Sequence, residues 1–164
     1  MSKSISDVNL GVADVTYDGT TVGHTSGGVT FNVDMSLSEA TVDEFGETPV
    51  FHVDNGQTAT VTVPLAQYNL EVMGIAFPFG TTNSAPDNHT IGDVSGTRSD
   101  GLTKELVLTP KSSDFSGMKV TIPRAMVTET SEIGFNTDDQ TVVEVTFTAY
   151  PDSEGKVAII GETA

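Results

Sequence analysis

The sequence contains no cysteine and no tryptophan, and only 7 basic residues stand against 23 acidic ones. Without cysteine there is no disulfide framework, no thiol chemistry and no zinc site built on sulfur. The formal net charge of -16 argues against an electrostatic hold on nucleic-acid phosphates, which needs clustered lysine and arginine. Such a surface either keeps an ordinary protein in solution or keeps passing DNA from adhering to it.

Long apolar runs are also missing. Residues 1–7 carry one lysine and no apolar stretch, so they do not resemble a secretory signal. The apolar stretches, such as Val72–Phe79, are too short to cross a bilayer. We therefore expect no membrane partner and expect assembly in a reducing cytoplasm. The length of 164 residues predicts one domain, 1–164, that buries a core without covalent staples.

Two segments show the alternation of half-buried β-strands. In 29–37 the odd positions are apolar and the even positions polar. In the second segment Ala59, Val61, Val63 and Leu65 alternate with Thr58, Thr60 and Thr62. Between them lies Asp43–Gly56, which is much longer than an ordinary hairpin connection. This segment is acidic and also carries Phe45, Pro49, Val50, Phe51 and Val53. A projecting arm cannot bury so many apolar groups within itself, so we expect it to pack on another molecule.

The remaining segments predict a mainly β fold. The Asp18-Gly19 pair predicts a hairpin over Val12–Gly23, and the helical spacing after Pro64 predicts one helix over about 64–73 that stops at Gly74. The turn-rich segment Phe77–Asn88 is predicted to be a loop. Further strands are predicted at Leu102–Leu108, Met118–Val127, Thr141–Ala149 and Val157–Ile160. We expect a β-sandwich or partly open barrel with one flanking α-helix and a long β-hairpin arm.

A search for reactive groups finds no catalytic arrangement. His24, His52 and His89 are the only candidate bases, and none lies in a nucleophile motif. Two acidic turns, Asn136–Asp139 and Asp152–Glu154, offer oxygen ligands without the spacing of a calcium loop, and their residue types also suit tight turns. Carboxylate pairs of the kind used in glycoside hydrolysis can be found in any acidic chain, and without tryptophan there is no strong aromatic platform for a sugar. We expect no enzyme, no cofactor and no metal.

The order of these parts resembles the major tail tube protein of long-tailed (siphovirus-type) bacteriophages. The resemblance covers most of the chain as a set of patches rather than one diagnostic motif. The patches are Gly27–Val33, Asp43–Pro49, Gly56–Leu65, Val120–Met126, Val143–Asp152 and Gly155–Gly161.

The resemblance implies a virion protein that forms hexameric rings, which stack into the tube through which the genome is ejected. The inner sheets of six subunits would join edge to edge into one barrel, which would cover the open sheet edges. The arm would contact the next ring through Phe45, Pro49, Val50 and Phe51. The expected lumen-facing acidic residues are Asp34, Glu39, Glu129 and Glu144.

The implied partners are copies of the same chain, other tail proteins (tape measure, terminator and distal tail protein) and DNA that passes without tight binding. Two alternatives remain open from the sequence. The chain could be another virion ring component of the same fold, such as a terminator, baseplate or decoration protein. It could also be a monomeric immunoglobulin-like binding module, although the single helix and the missing secretory signal argue against that.

Overall fold

The computed structural model describes residues 12–67, 69–85, 87–92, 96, 98–112, 117–130, 132–133 and 142–161. These residues form a mainly β fold with one α-helix, as the sequence predicts. The elements in chain order are β1 (Ala13–Tyr17), β2 (Thr20–Thr21), β3 (Thr30–Thr41), β4 (Pro49–Leu65), α1 (Leu70–Ala76), β5 (Thr81–Ser84), β6 (Asp87–Thr90), β7 (Lys104–Pro110), β8 (Val120–Thr130), β9 (Val143–Ala149) and β10 (Ile159–Ile160).

One antiparallel sheet dominates the fold, with the strand order β2-β1-β7-β8-β9-β4-β3 and with β10 paired to β8. The sheet curls back on itself, because the chain after β2 returns to the end of β4. There Thr25 forms an isolated antiparallel bridge with Leu65. The backbone N–H of Ala66 donates to the carbonyl of His24 at 2.8 Å. This curl makes a partly open barrel around a single core.

The core lies inside the curl and is built by the alternating apolar residues of the strands. Val61, Val63, Val145 and Phe147 are fully buried, and α1 contributes Val72, Met73 and Ala76. The Tyr17 ring lies 5.2 Å from the Phe147 ring, centroid to centroid, in a tilted arrangement. Its hydroxyl donates to the carbonyl of Ala125 at 3.2 Å, and burial, aided by the nearby Asp18 carboxylate, raises the pKa of Tyr17 to about 12.

The first hairpin follows its sequence signal. Asp18 and Gly19 both adopt positive φ angles, 50° and 76°, which is the backbone that a tight turn between antiparallel strands requires. The strand predictions for 102–108, 118–127, 141–149 and 157–160 are likewise confirmed, with ends shifted by a few residues.

The predicted helix bounds of 64–73 are wrong. β4 continues through Pro64, and α1 begins only at Leu70, after Asn69 caps it by accepting the Val72 N–H at 2.8 Å. Proline is tolerated there because β3 pairs with β4 only as far as Thr62 on that side. Gly74 does not end the helix. It lies within α1, where an added Cβ would come within 3.2 Å of the Thr82 hydroxyl.

The prediction that 77–88 is a loop is only partly right. The segment contains most of a small hairpin formed by β5 and β6. Its residues are polar, so no apolar alternation marks it in the sequence. The hairpin is held by side chains instead: the Thr82 hydroxyl lies 2.8 Å from His89 Nδ1, and Asn83 donates to Asn88 at 3.0 Å.

The segment 43–56 is not a loop over its whole length. Residues 49–56 belong to β4 and pair with 36–41 of β3, so the connection is reduced to 42–48. The two strands have 12 and 17 residues and extend beyond the core as a long hairpin. We call the part formed by residues 35–56 the hairpin arm.

Candidate functional site

One side of β3, β4, β9 and β8 forms a mostly polar surface, in which Pro64 and Met126 are the apolar exceptions. Paired residues of antiparallel strands project to the same side of a sheet, and the ladder aligns Asn32 with Thr60, Thr60 with Thr148, and Thr148 with Met126. The alternate residues, such as Val61 and Phe147, point into the core. We call the polar side the threonine face; it comprises Thr30, Asn32, Asp34, Thr58, Thr60, Thr62, Glu144, Thr146, Thr148, Thr128 and Glu129.

Three of the four predicted lumen-facing acidic residues lie on the threonine face. Asp34 is paired with Thr58, Glu144 with Pro64, and Glu129 with Thr146, where a bulge at Thr128 shifts the register. The register separates Glu39 from them, because it lies an odd number of residues from Asp34 along β3. Glu39 is instead beside His52, whose Nε2 lies 3.6 Å from its carboxylate.

Hydroxyl and amide groups on the threonine face bond to one another. Thr128 and Thr148 share a hydroxyl–hydroxyl bond of 2.7 Å, and the Asn32 amide donates to the Asp34 carboxylate at 2.9 Å. The sequences of β3, β4 and β9 contain no lysine or arginine. The face therefore carries negative charge that no basic residue of these three strands offsets.

The hairpin arm exposes an unusual number of apolar side chains. The sequence pattern predicted a half-buried strand over 29–37, but Met35 and Leu37 are 65% and 52% exposed. Phe45 and Phe51 are 64% and 59% exposed. The other exposed apolar residues of the arm are Val42, Val50 and Val53. Such a set is far more than scattered surface residues account for, and it marks an interaction surface.

Two bulges distribute these apolar residues over both sides of the arm. Asn55 is an extra residue in β4 between the pairs Ser36–Gly56 and Leu37–Asp54. Beyond it, Val53 pairs with Ser38 and Phe51 pairs with Ala40, so both are on the threonine side. Met35 and Leu37 remain on the opposite side. Val50 is the extra residue of the second bulge, next to the Thr41–Pro49 pair.

The four residues predicted to contact the next ring, Phe45, Pro49, Val50 and Phe51, are all exposed, and their contacts stay a prediction. The sequence analysis did not single out Met35 and Leu37 as exposed. Their alternation looked like that of a core strand. The available signal was length, since a 12-residue strand extends about 40 Å, further than a small core reaches.

Two strand edges beside the threonine face have no second strand paired to them in the described part of the chain. β3 pairs only with β4, so its outer edge is free over its whole length. On the other flank, β7 pairs with β8 only as far as Ala125, which leaves the edge of residues 126–130 without a strand from β7.

The histidines and acidic turns have structural partners. His24 contributes its carbonyl to the sheet closure, and His89 bridges Thr82 and the Phe77 carbonyl. Asp152 accepts the backbone N–H groups of Lys156 and Glu154 at 2.9 and 2.8 Å, and these bonds, that from Lys156 foremost, hold its pKa below the usual range. Asn136–Asp139 lies outside the described residues. No group of three potential metal ligands occurs in the described ranges.

Comparison with protein families identifies the family of this chain. The model of a family described as "Phage tail tube protein" matches residues 13–160. The chain belongs to the phage tail tube protein family. This family is structural and not enzymatic, so the polypeptide is a component of the phage tail. A comparison with curated proteins finds no match.

Solved structures share the fold of this tail tube family member. A chain of the sheath–tube complex of an extracellular contractile injection system, PVC, in the extended state is 14% identical, with 99% of this chain and 100% of that chain covered and a TM-score of 0.59. A chain of the anti-feeding prophage tube-terminating cap is 12% identical, with 96% and 94% covered and a TM-score of 0.59. A chain of the PVC sheath/tube terminator is 13% identical, with 94% and 96% covered and a TM-score of 0.58.

No helix in the described residues is both long and apolar enough for a membrane span.

Proposed function

We propose that copies of this chain form hexameric rings that stack into the tail tube, the conduit for genome ejection into the host. The observation that carries this proposal is the threonine face, a four-strand polar surface flanked by two open edges. Long open edges invite pairing with another chain, and a closed barrel removes them.

The strand directions favour such closure. β3, β4, β9 and β8 alternate in direction, since each neighbouring pair is antiparallel. A rotation axis parallel to the strands keeps every direction unchanged, so the open edge of β8 meets the β3 of the next subunit in antiparallel orientation. Edge-to-edge joining then gives one uninterrupted antiparallel barrel whose inner surface is the threonine face.

The inner surface is suited to DNA that moves through without adhering. Asp34, Glu129 and Glu144 repel phosphates, and the threonine hydroxyls hydrogen-bond to water and to one another. The sequence analysis placed Glu39 among the lumen-facing residues. Its side chain lies on the other side of β3 from Asp34, which favours a contact within the arm or with a neighbouring subunit instead.

The hairpin arm would connect rings. Phe45, Pro49, Val50 and Phe51 are exposed in the single subunit, and docking on the adjacent ring would remove their apolar surface from water. The arm's length and its bulged, two-sided apolar surface support this role.

Other tail proteins are the further partners we propose: a tape measure protein, a terminator and a distal tail protein. Structures similar in fold include tubes assembled with a sheath and tubes closed by a cap. The tube chain and the cap chain match this protein with the same TM-score. A second candidate function is therefore a terminator or another ring component of the same fold. A terminator would form rings but no rods of its own.

Negative-stain microscopy of the purified protein tests the proposal. We expect hollow rods of uniform width, whereas single rings alone would favour a terminator, and monomers at high concentration would refute both. Replacing Phe45 and Phe51 by serine should stop stacking while the subunit stays folded. Val12→Ser, which alters an exposed apolar residue outside the arm, is the control.

A further inference from the structure

Among the asparagines of the sequence, only Asn55 is followed by glycine. An asparagine cyclises when the backbone nitrogen of the next residue attacks its side-chain carbonyl carbon, and asparagine is accordingly one of the thermolabile residues of proteins. A following glycine favours this reaction, because it has no Cβ to obstruct the closing ring. The Asn55-Gly56 pair is therefore the place where the sequence most favours ring closure.

The backbone around this pair is lightly constrained. Asn55 is the extra residue of the bulge in β4, so it has no partner in β3 to lose. Gly56 has a positive φ angle of 127°, and apart from the adjoining residues no atom lies within 4 Å of the position that a Cβ would occupy there. A ring that closes at this point therefore meets no neighbouring group on the glycine side.

A carboxylate contacts the nitrogen that attacks in such a reaction. The Gly56 N–H donates to Asp54 Oδ1 at 2.9 Å, and the Gln57 side chain donates to Asp54 Oδ2 at 3.1 Å. The bond from Gln57 holds the carboxylate in place, with its other oxygen directed at the Gly56 nitrogen. Asp54 is thus positioned to accept the proton that this nitrogen must lose, which is the role of a general base.

A hydroxyl contacts the nitrogen that leaves. The Asn55 side-chain amide donates to Ser38 Oγ at 2.5 Å, across the hairpin. This bond orients the amide, and the same hydroxyl can return a proton to the nitrogen as it departs, which is the role of a general acid. A base and an acid therefore lie on the two nitrogen atoms whose bonds change.

We propose that Asn55 is a site of self-catalysed modification, in which Asn55 and Gly56 close a succinimide ring. The Gly56 nitrogen forms a bond to Asn55 Cγ and passes its proton to Asp54, while the bond between Cγ and Nδ2 breaks. The departing nitrogen takes a proton from Ser38, which Asp54 replaces through water, and leaves as ammonia. Asn55 is exposed, so a water molecule then opens the ring and yields aspartate or isoaspartate.

The modification changes the hairpin arm in two ways. Either product adds a carboxylate beside Asp54, and isoaspartate also has its side-chain carbon in the backbone, which lengthens β4 by one atom at the bulge. Since the extra residue at Asn55 decides which side of the arm Phe51 and Val53 occupy, a longer backbone there disturbs the register beyond it. The reaction belongs to the single subunit and does not depend on ring or tube formation.

The test incubates the full-length, unassembled chain at neutral pH in water enriched in oxygen-18. Digestion in ordinary water with a glutamate-specific protease then releases the peptide 48–71, which contains Asn55 and also Asn69, an asparagine followed by leucine. We expect labelled aspartate and isoaspartate at position 55 and none at position 69, measured by mass spectrometry. The folded chain should react roughly tenfold faster, or more, than the same chain in guanidinium chloride, because the denaturant separates Asp54 and Ser38 from Asn55.

Variants of the chain separate the role of each group. Asp54→Asn removes the base and should slow the reaction of the folded chain roughly tenfold or more, without an effect in guanidinium chloride. Asn55→Gln keeps an amide but lengthens its side chain by one carbon, so it cannot close the five-membered ring and should stay unlabelled. Glu44→Gln, which removes a carboxylate of the same hairpin away from this pair, is the matched control and should react as the unaltered chain does.

Three results would overturn the proposal. They are the absence of label at position 55 of the folded chain, a folded rate no higher than the rate in guanidinium chloride, and an unchanged folded rate in Asp54→Asn. If Asp54→Asn does not fold, as judged by circular dichroism, Ser38→Ala replaces it with the same expected slowing.

Discussion

The apolar residues on the side of the arm opposite the threonine face, Met35 and Leu37, should matter for assembly and not for folding. Full burial of a methionine or leucine side chain is worth about 1.5–3 kcal/mol. With 65% and 52% of their surfaces still exposed, assembly can bury about half of each side chain or more, which gives roughly 2–3.5 kcal/mol for the two together. Replacing both with serine should therefore raise the critical concentration of rods by about 30- to 300-fold.

The free energy of unfolding of the subunit should change little, by about 0.5 kcal/mol or less per residue, because exposed side chains contribute little to the core. The critical concentration is measured by pelleting at a series of protein concentrations, and the unfolding free energy by urea titration of the unassembled form. Val12→Ser, at 52% exposure outside the arm, is the matched control. A double variant that assembles at the concentration of the unaltered chain would show that this side of the arm stays in water, and the reasoning would fail.

Three further predictions concern the core and the threonine face. Phe147→Ala should lower the free energy of unfolding by about 3–5 kcal/mol, measured by urea titration, because its ring is fully buried against Tyr17; a loss below about 1 kcal/mol would contradict this. Since the folded-state pKa of Tyr17 is raised to about 12 from 10.0, its contribution to stability is complete below pH 10 and is lost as the pH rises toward 12. Tyr17→Phe should reduce that alkaline loss in urea titrations at successive pH values, and an unchanged pH dependence would argue against it. Asp34→Lys with Glu144→Lys should leave rods intact but make them retain DNA in a salt-dependent way, measured by co-sedimentation, whereas Asp34→Asn with Glu144→Gln should retain much less. Equal retention by both double variants would remove charge from the explanation.

Where the sequence predicted the fold well, local pattern and final environment agree. The alternation in 58–65 and in 143–149 reflects one face in the core, and the Asp18-Gly19 turn matches its backbone angles. Where it failed, the deciding contact lies elsewhere in the chain. Pro64 looks like a helix start, yet the sheet continues through it, and Gly74 looks like a helix stop, yet it lies inside α1 beside the Thr82 hydroxyl.

The candidate site shows the same division. Asp34, Glu129 and Glu144 reach one face, because the strands that carry them pair in compatible register. Glu39 has the opposite parity along β3, a difference that the count of residues alone could have revealed. The division of the arm into two apolar sides could not be predicted, since a bulge such as that at Asn55 is set by the pairing partner and not by local composition.

The extra residue at Asn55 has a consequence for how assembly starts. The bulge places Phe51 and Val53 on the side of the arm opposite Met35 and Leu37. A first neighbouring subunit that covers one side therefore leaves the other side exposed to water. Small clusters thus gain only part of the available stabilisation, whereas a subunit that joins an existing tube is covered on both sides at once. Growth that begins slowly and then extends quickly, with few short fragments, is the kinetic behaviour that this single inserted residue favours.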